Sequence, residues 1–249
     1  MNCKKYGKVG CIILALCFAF MAGRKSMISI PEEDINVEEG GDEKIEEQKS
    51  IISIPEENIN VEEDSDGKLI CGRYEYEIIA QDGTVRILTY LGDESIIFIP
   101  TELDGRKISV IGKNAFSRNA TVEQVIFPSG ITEIEREAFA YCSRLETVIL
   151  GQELEKIGGR AFAYCPSLTE IRFPEGLKET GGGICAYCPK LEKIYIPESM
   201  ESIGDKAFEG CSNLKLVYGS STYAEIYAQQ EGLVYVDVNR IEEEGNLVW

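Results

Sequence analysis

From Ile108 the chain divides into five consecutive blocks of 23 residues without insertion, reaching Thr222. They read "ISVIGKNAFSRNATVEQVIFPSG", "ITEIEREAFAYCSRLETVILGQE", "LEKIGGRAFAYCPSLTEIRFPEG", "LKETGGGICAYCPKLEKIYIPES" and "MESIGDKAFEGCSNLKLVYGSST". Four apolar columns recur. The first is Ile111, Ile134, Ile157, Thr180 and Ile203; the second is Phe116, Phe139, Phe162, Cys185 and Phe208. The third is Val122, Leu145, Leu168, Leu191 and Leu214; the fourth is Val125, Val148, Ile171, Ile194 and Val217. A unit this short cannot enclose its own apolar side chains. Stacked units bury each column against the same column of the next turn, which is a solenoid.

Within a unit, "LETVIL" at 145–150 has the spacing L-x-x-L-x-L. Period-2 alternation sends Val148 and Leu150 inward and Thr147 and Ile149 outward. Repetition lays such strands parallel, about 4.8 Å apart. Pro128, Pro174 and Pro197 mark strand ends, because proline lacks the amide a ladder needs. The Ala-Phe segments, such as Ala161-Phe162, are expected to form short helical turns.

The combined pattern L-x-x-I-x-[IL]-P, then I-G-x-x-A-F-x-x-C, resembles the BspA-like (Treponema pallidum-type) leucine-rich repeat family over residues 108–222. The resemblance implies an α/β repeat fold. This is a right-handed leucine-rich-repeat solenoid with parallel β-strands, short helical turns, short extra strands, a β-hairpin N-cap and a helix-strand C-cap. Two departures stand out: "GGGIC" at 181–185 replaces G-x-x-A-F, and Asn119 stands where later repeats have cysteine.

The ends read as caps. Residues 74–92 predict a hairpin around Asp82-Gly83 within an N-terminal cap over 68–107. At the other end Ser221 or Thr222 is a helix N-cap, Gly232 a stop and 233–238 a final strand, giving a C-terminal cap over 223–238 and a tail over 239–249. At the N-terminus, Lys4, Lys5 and Lys8 precede the apolar run "GCIILALCFAFMAG", so 1–25 reads as a signal peptide or N-terminal anchor. Whether it is cleaved, retained or lipidated stays open: no small-x-small site is evident and no cysteine follows "MAG". Residues 26–67 hold fifteen acidic residues against Lys44 and Lys49, and "MISIPEEDINVEEG" at 27–40 recurs as "IISIPEENINVEED" at 51–64. Dense like charge with few aromatics predicts an extended, disordered linker.

Charge and composition narrow the function. A net charge of −18 disfavours phosphate backbones, so no nucleic acid is expected. The chain has no histidine, which removes Ser-His-Asp and Cys-His catalysis. No enzyme activity, cofactor or metal is expected, and membrane contact is expected only through the N-terminal segment.

The Cys-x-x-Cys pair Cys185 and Cys188 could be a thiol redox site. However, Cys188 belongs to a column with Cys142, Cys165 and Cys211, headed by Asn119. A structural ladder of small buried side chains accounts for that column, with Asn119 hydrogen-bonding loop backbone. Cys185 stands where other repeats have phenylalanine, so space under the fourth turn, and a stabilising Cys185→Phe, are expected.

Two outward columns on the presumed concave strand face are the candidate ligand-binding residues. One is Gln124, Thr147, Glu170, Lys193 and Leu216; the other is Ile126, Ile149, Arg172, Tyr195 and Tyr218. A third column, Tyr141, Tyr164 and Tyr187, reads as stacked packing. The expected function is an exported bacterial surface module that binds a protein, which for this family implies adhesion to, or recognition of, host or matrix proteins. A ligand-free spacer or scaffold is the alternative, and a Cys185/Cys188 thiol oxidoreductase a third reading.

Overall fold

The computed structural model describes residues 61–63 and 68–240 of the 249-residue chain, all within one compact unit. The signal or anchor segment, the first copy of the duplication and the tail beyond 240 lie outside the described residues. The strands β1 (Val61–Glu63), β2 (Leu69–Cys71), β3 (Tyr74–Ile78) and β4 (Val85–Tyr90) form an antiparallel meander. The turn between β3 and β4 is held by Asp82, whose Oδ1 accepts from the Thr84 amide at 2.9 Å and hydroxyl at 2.7 Å. Those bonds lower the Asp82 pKa.

Two sets of parallel strands run along the solenoid. In one, β4 pairs with β7 (Arg106–Ile111), which leads to β9 (Glu133–Ile134), β11 (Lys156–Ile157) and β13 (Glu179–Thr180). These are the short extra strands. The other set carries the L-x-x-L-x-L segments. It contains β5 (Ile96–Phe98), β8 (Gln124–Ile126) and β10 (Thr147–Ile149) in one sheet. A second sheet holds β12 (Glu170–Arg172), β14 (Lys193–Ile196), β15 (Leu216–Gly219) and β16 (Val234–Asp237). No ladder joins β10 to β12, so this face is divided between the second and third repeats. A short hairpin, β6 (Glu102–Leu103) against β7, turns through Asp104 and Gly105, both at positive φ.

The four apolar columns form the core. Their members in the first four repeats are buried, and the fifth-repeat members Ile203, Phe208 and Leu214 are half-buried. Phe116 and Phe139 stack at 4.6 Å, Phe139 and Phe162 at 5.5 Å, and Tyr90 continues the stack onto Phe116 at 5.0 Å. The N-terminal cap thus covers the ring column with a ring. Thr180, the polar member of its column, is satisfied because its hydroxyl accepts from the Gly204 amide at 3.3 Å. The C-terminal cap is α1 (Thr222–Glu231), with the Ser221 hydroxyl accepting from the Ala224 amide and Gly232 in the left-handed region at φ 68°. The strand β16 then closes the stack.

The Ala-Phe segments differ in detail from short helices. They are chains of hydrogen-bonded turns. In the first, the amides of Ala115, Ser117 and Asn119 donate to Gly112, Asn114 and Phe116 of the same turn. The intervening amides of Asn114, Phe116 and Arg118 donate to Arg136, Ala138 and Ala140 of the next turn. A residue at positive φ recurs every fourth position: Asn114 and Arg118, Glu137 and Tyr141, Arg160 and Tyr164. An α-helix sends every amide four residues back along its own chain. Here alternate amides leave for the neighbouring turn, so the segment stitches the solenoid together.

The acidic linker also needs correction. Val61–Glu63, assigned to it on charge, pairs as a strand with β2 in the register Val61 to Cys71, Glu62 to Ile70 and Glu63 to Leu69.

Candidate functional site

The outward strand positions form the candidate site. Alternation in each three- or four-residue strand buries the central residue and turns its neighbours out. Parallel pairing aligns Gln124 with Thr147 and Ile126 with Ile149. It also aligns Glu170 with Lys193 and Leu216, and Arg172 with Tyr195 and Tyr218. Each group of five therefore runs along one face: β10 and β12 lie side by side, but no ladder pairs them.

Pairing extends both columns beyond the residues named from sequence. Ile96 aligns with Gln124 and Phe98 with Ile126. Val234 aligns with Leu216 and Val236 with Tyr218. Ile96 is 45% exposed, Phe98 52% and Val234 59%. The β5 rung was missed because the β6–β7 hairpin stretches its offset to 28 residues, against 23 from repeat to repeat. The signal was present: "SIIFIP" ends in the same I-x-I-P pattern as "KIYIP".

The two blocks differ chemically. The first offers Ile96, Phe98, Ile126 and Ile149 as an apolar patch with Gln124 and Thr147 beside it. The second is charged and aromatic. Lys193 Nζ lies 2.6 Å from Glu170 Oε2, and the Arg172 guanidinium lies 4.3 Å from the Tyr195 ring centroid. Tyr195 donates its hydroxyl to Glu175 Oε1 at 2.9 Å. Burial, then the bond to the Glu175 carboxylate, pushes the Tyr195 phenol up to about 12. The phenol therefore stays a neutral donor across the physiological range.

The tyrosine column lies away from these strands, on the stitched turns. Tyr141 and Tyr164 stack at 4.5 Å, Tyr164 and Tyr187 at 4.8 Å, and Arg118 covers Tyr141 at 5.0 Å. Tyr164 is held between the other two rings, while Tyr141 and Tyr187 at the ends of the stack remain exposed.

The cysteine column is buried and holds free thiols. Each thiol donates to a carbonyl one turn back: Cys142 to Phe116, Cys165 to Phe139 and Cys188 to Phe162, each at 3.2 Å, and Cys211 to Cys185 at 3.0 Å. Asn119 makes a different use of the same place. Its Oδ1 accepts from the Thr121 amide and hydroxyl at 3.0 and 2.9 Å and from the Val122 amide at 2.9 Å. The Cys188 thiol is pushed up to about 12, first by the neighbouring Cys165 thiol and then by burial. Burial raises Cys185 well above the ordinary thiol range. A redox pair needs an accessible thiolate of lowered pKa, and both of these have the opposite attributes.

Comparison with known proteins agrees with this geometry. The family model for the BspA type leucine rich repeat region matches residues 100–228 in six copies. The leucine-rich repeat protein of T. pallidum is 29% identical, with a TM-score of 0.57 over 59% of this chain and 68% of that one. A leucine-rich repeat protein from Bacteroides capillosus is 29% identical over 54% of this chain and 98% of its own, with a TM-score of 0.45. A leucine rich cell surface protein from Faecalibacterium prausnitzii is 25% identical over 64% and 56%, with a TM-score of 0.44. No curated protein matches the sequence. Six family repeats spanning more than half of the sequence, on the solenoid described above, place the chain in the BspA-type leucine-rich repeat family.

Proposed function

We propose that the chain is an exported, surface-tethered module that recognises a protein ligand through its strand face, in an adhesive or recognition role. The observation that carries this reading is the exposure of Ile96 and Phe98, at 45% and 52%, with Phe98 in register with Ile126. Large apolar groups aligned on an exposed sheet resemble the buried anchors of protein interfaces more than the polar rim. The second block supplies Arg172, Tyr195 and Tyr218, residue types enriched where binding energy concentrates. Export rests on the basic, then apolar, N-terminal sequence, and the tether on the acidic segment behind it.

The test is a binding screen of the purified protein against extracellular-matrix and cell-surface proteins. Phe98→Glu should weaken any captured ligand by at least tenfold while leaving the melting temperature unchanged. Binding that survives Phe98→Glu, Ile126→Glu and Tyr195→Ala alike would move the site off this face. A screen that finds no ligand would favour the spacer reading.

A further inference from the structure

The strand β1 is the second copy of a duplicated sequence. Residues 25–39 and 49–63 agree at thirteen of fifteen positions, and "INVEE" is identical at 35–39 and 59–63. The three residues of the second copy that pair with β2 are Val61, Glu62 and Glu63. Val37, Glu38 and Glu39 are the same residues, 24 positions earlier.

We propose that the edge of β2 is a docking site for either copy, so that residues 37–39 of the same chain can replace β1 on Leu69–Cys71. Strand addition of this kind draws its affinity from main-chain hydrogen bonds. An identical sequence makes the same bonds in the same register. What separates the two copies is the loop each must close. The second copy reaches Leu69 across five residues, 64–68, and the first across twenty-nine, 40–68. Closure entropy scales as three-halves of the logarithm of loop length, so the second copy is favoured by about 14-fold. The first copy therefore holds the edge in roughly 7% of molecules. The own-chain copy is the committed occupant. Its effective concentration at the edge is in the millimolar range for short flexible linkers and falls with length, and remains far above that of a separate molecule at micromolar concentration. Exchange moves the point where the arm leaves the folded unit by 24 residues, roughly 80 Å when extended. The arm thus has two docking stops.

Cys71 makes the exchange readable. It stands opposite Val61, and opposed antiparallel residues have Cα separations within disulfide range. The full chain, with Cys3, Cys11 and Cys17 changed to serine, is oxidised, and disulfides are mapped by peptide mass spectrometry. Val61→Cys should link rapidly to Cys71. Val37→Cys should form the same intramolecular link about 14-fold more slowly, and removal of residues 59–63 should raise that rate by about the same factor. Ile45→Cys sets the rate of random collision.

A Val37→Cys rate equal to that of Ile45→Cys, or unchanged by removal of 59–63, would overturn the proposal. So would a link found only between molecules, which would make the occupant a second copy of the chain. Failure of Val61→Cys to link to Cys71 would remove the pairing on which the proposal stands.

Discussion

The fourth repeat carries Ile184-Cys185 where the others carry Ala-Phe, and the two departures belong together. Ala115, Ala138, Ala161 and Ala207 are nearly or fully buried, and so are Phe116, Phe139 and Phe162. In the fourth repeat both Ile184 and Cys185 are at 0% exposure. The aromatic stack stops at Phe162, and Phe208 turns edge-on to Tyr227 at 6.3 Å instead. Isoleucine adds bulk at one position and cysteine removes a ring at its neighbour, so the pair reads as a volume-compensated swap. If the swap is compensated, Cys185→Phe alone does not stabilise, because isoleucine and phenylalanine together exceed the volume of the Ala-Phe that fills the same place in the other repeats. Overpacking of this kind costs about 1–3 kcal/mol. Ile184→Ala alone leaves a cavity and costs about 2–5 kcal/mol. The double variant restores the Ala-Phe of the other four repeats and should lie within about 1 kcal/mol of the parent, a coupling of at least about 2 kcal/mol. Urea unfolding followed by far-ultraviolet circular dichroism on the four proteins completes the cycle, with equal slopes checking that one transition is compared. A double variant that equals the sum of the singles, or a Cys185→Phe protein that melts above the parent, would refute the compensation.

Other outcomes follow from the same packing. Asn119→Ala removes one acceptor from three donors and should cost about 2–3 kcal/mol in urea midpoints. Gly181→Ala places a Cβ 2.2 Å from the Gly159 amide nitrogen; a backbone clash that cannot relax by side-chain motion should cost at least about 3 kcal/mol, read as a lowered melting temperature. The Cys188 thiol is raised from 9.0 to about 12 in the folded state, so the unfolded chain loses this proton first as pH rises. The stability it contributes is complete below pH 9 and is lost as pH rises from 9 toward 12. Cys188→Ala should flatten the alkaline stability profile by that one proton, measured as urea midpoints across the window.

The repeat phase was legible because its columns are apolar every 23 residues, and burial follows those columns from Ile111 to Val217. The β5 rung escaped because an inserted hairpin changes its offset while preserving its pattern. The stitched turns could not be read from residue types. Tyr141, Tyr164 and Arg160 are poor markers of positive φ, and the hydrogen bonds to the next turn, not local preference, hold them there. Charge density hid β1, since an edge strand needs only its backbone to pair. For the candidate face, sequence named residues that do align, but nothing in their spacing announced that the ladder would stop between Ile149 and Glu170.

That interruption has a consequence for how the molecule comes apart. In a stack of repeats, stability is a sum of unit terms and nearest-neighbour couplings. Most neighbours here are coupled through strands on one side and stitched turns on the other. Between the second and third repeats the strand-side ladder is missing, and coupling falls to the extra strands, the turns and the apolar columns. A weak link in the chain of couplings therefore lies at mid-length. Amide exchange along the strand face should therefore show protection falling at β10 and β12 relative to β8 and β14.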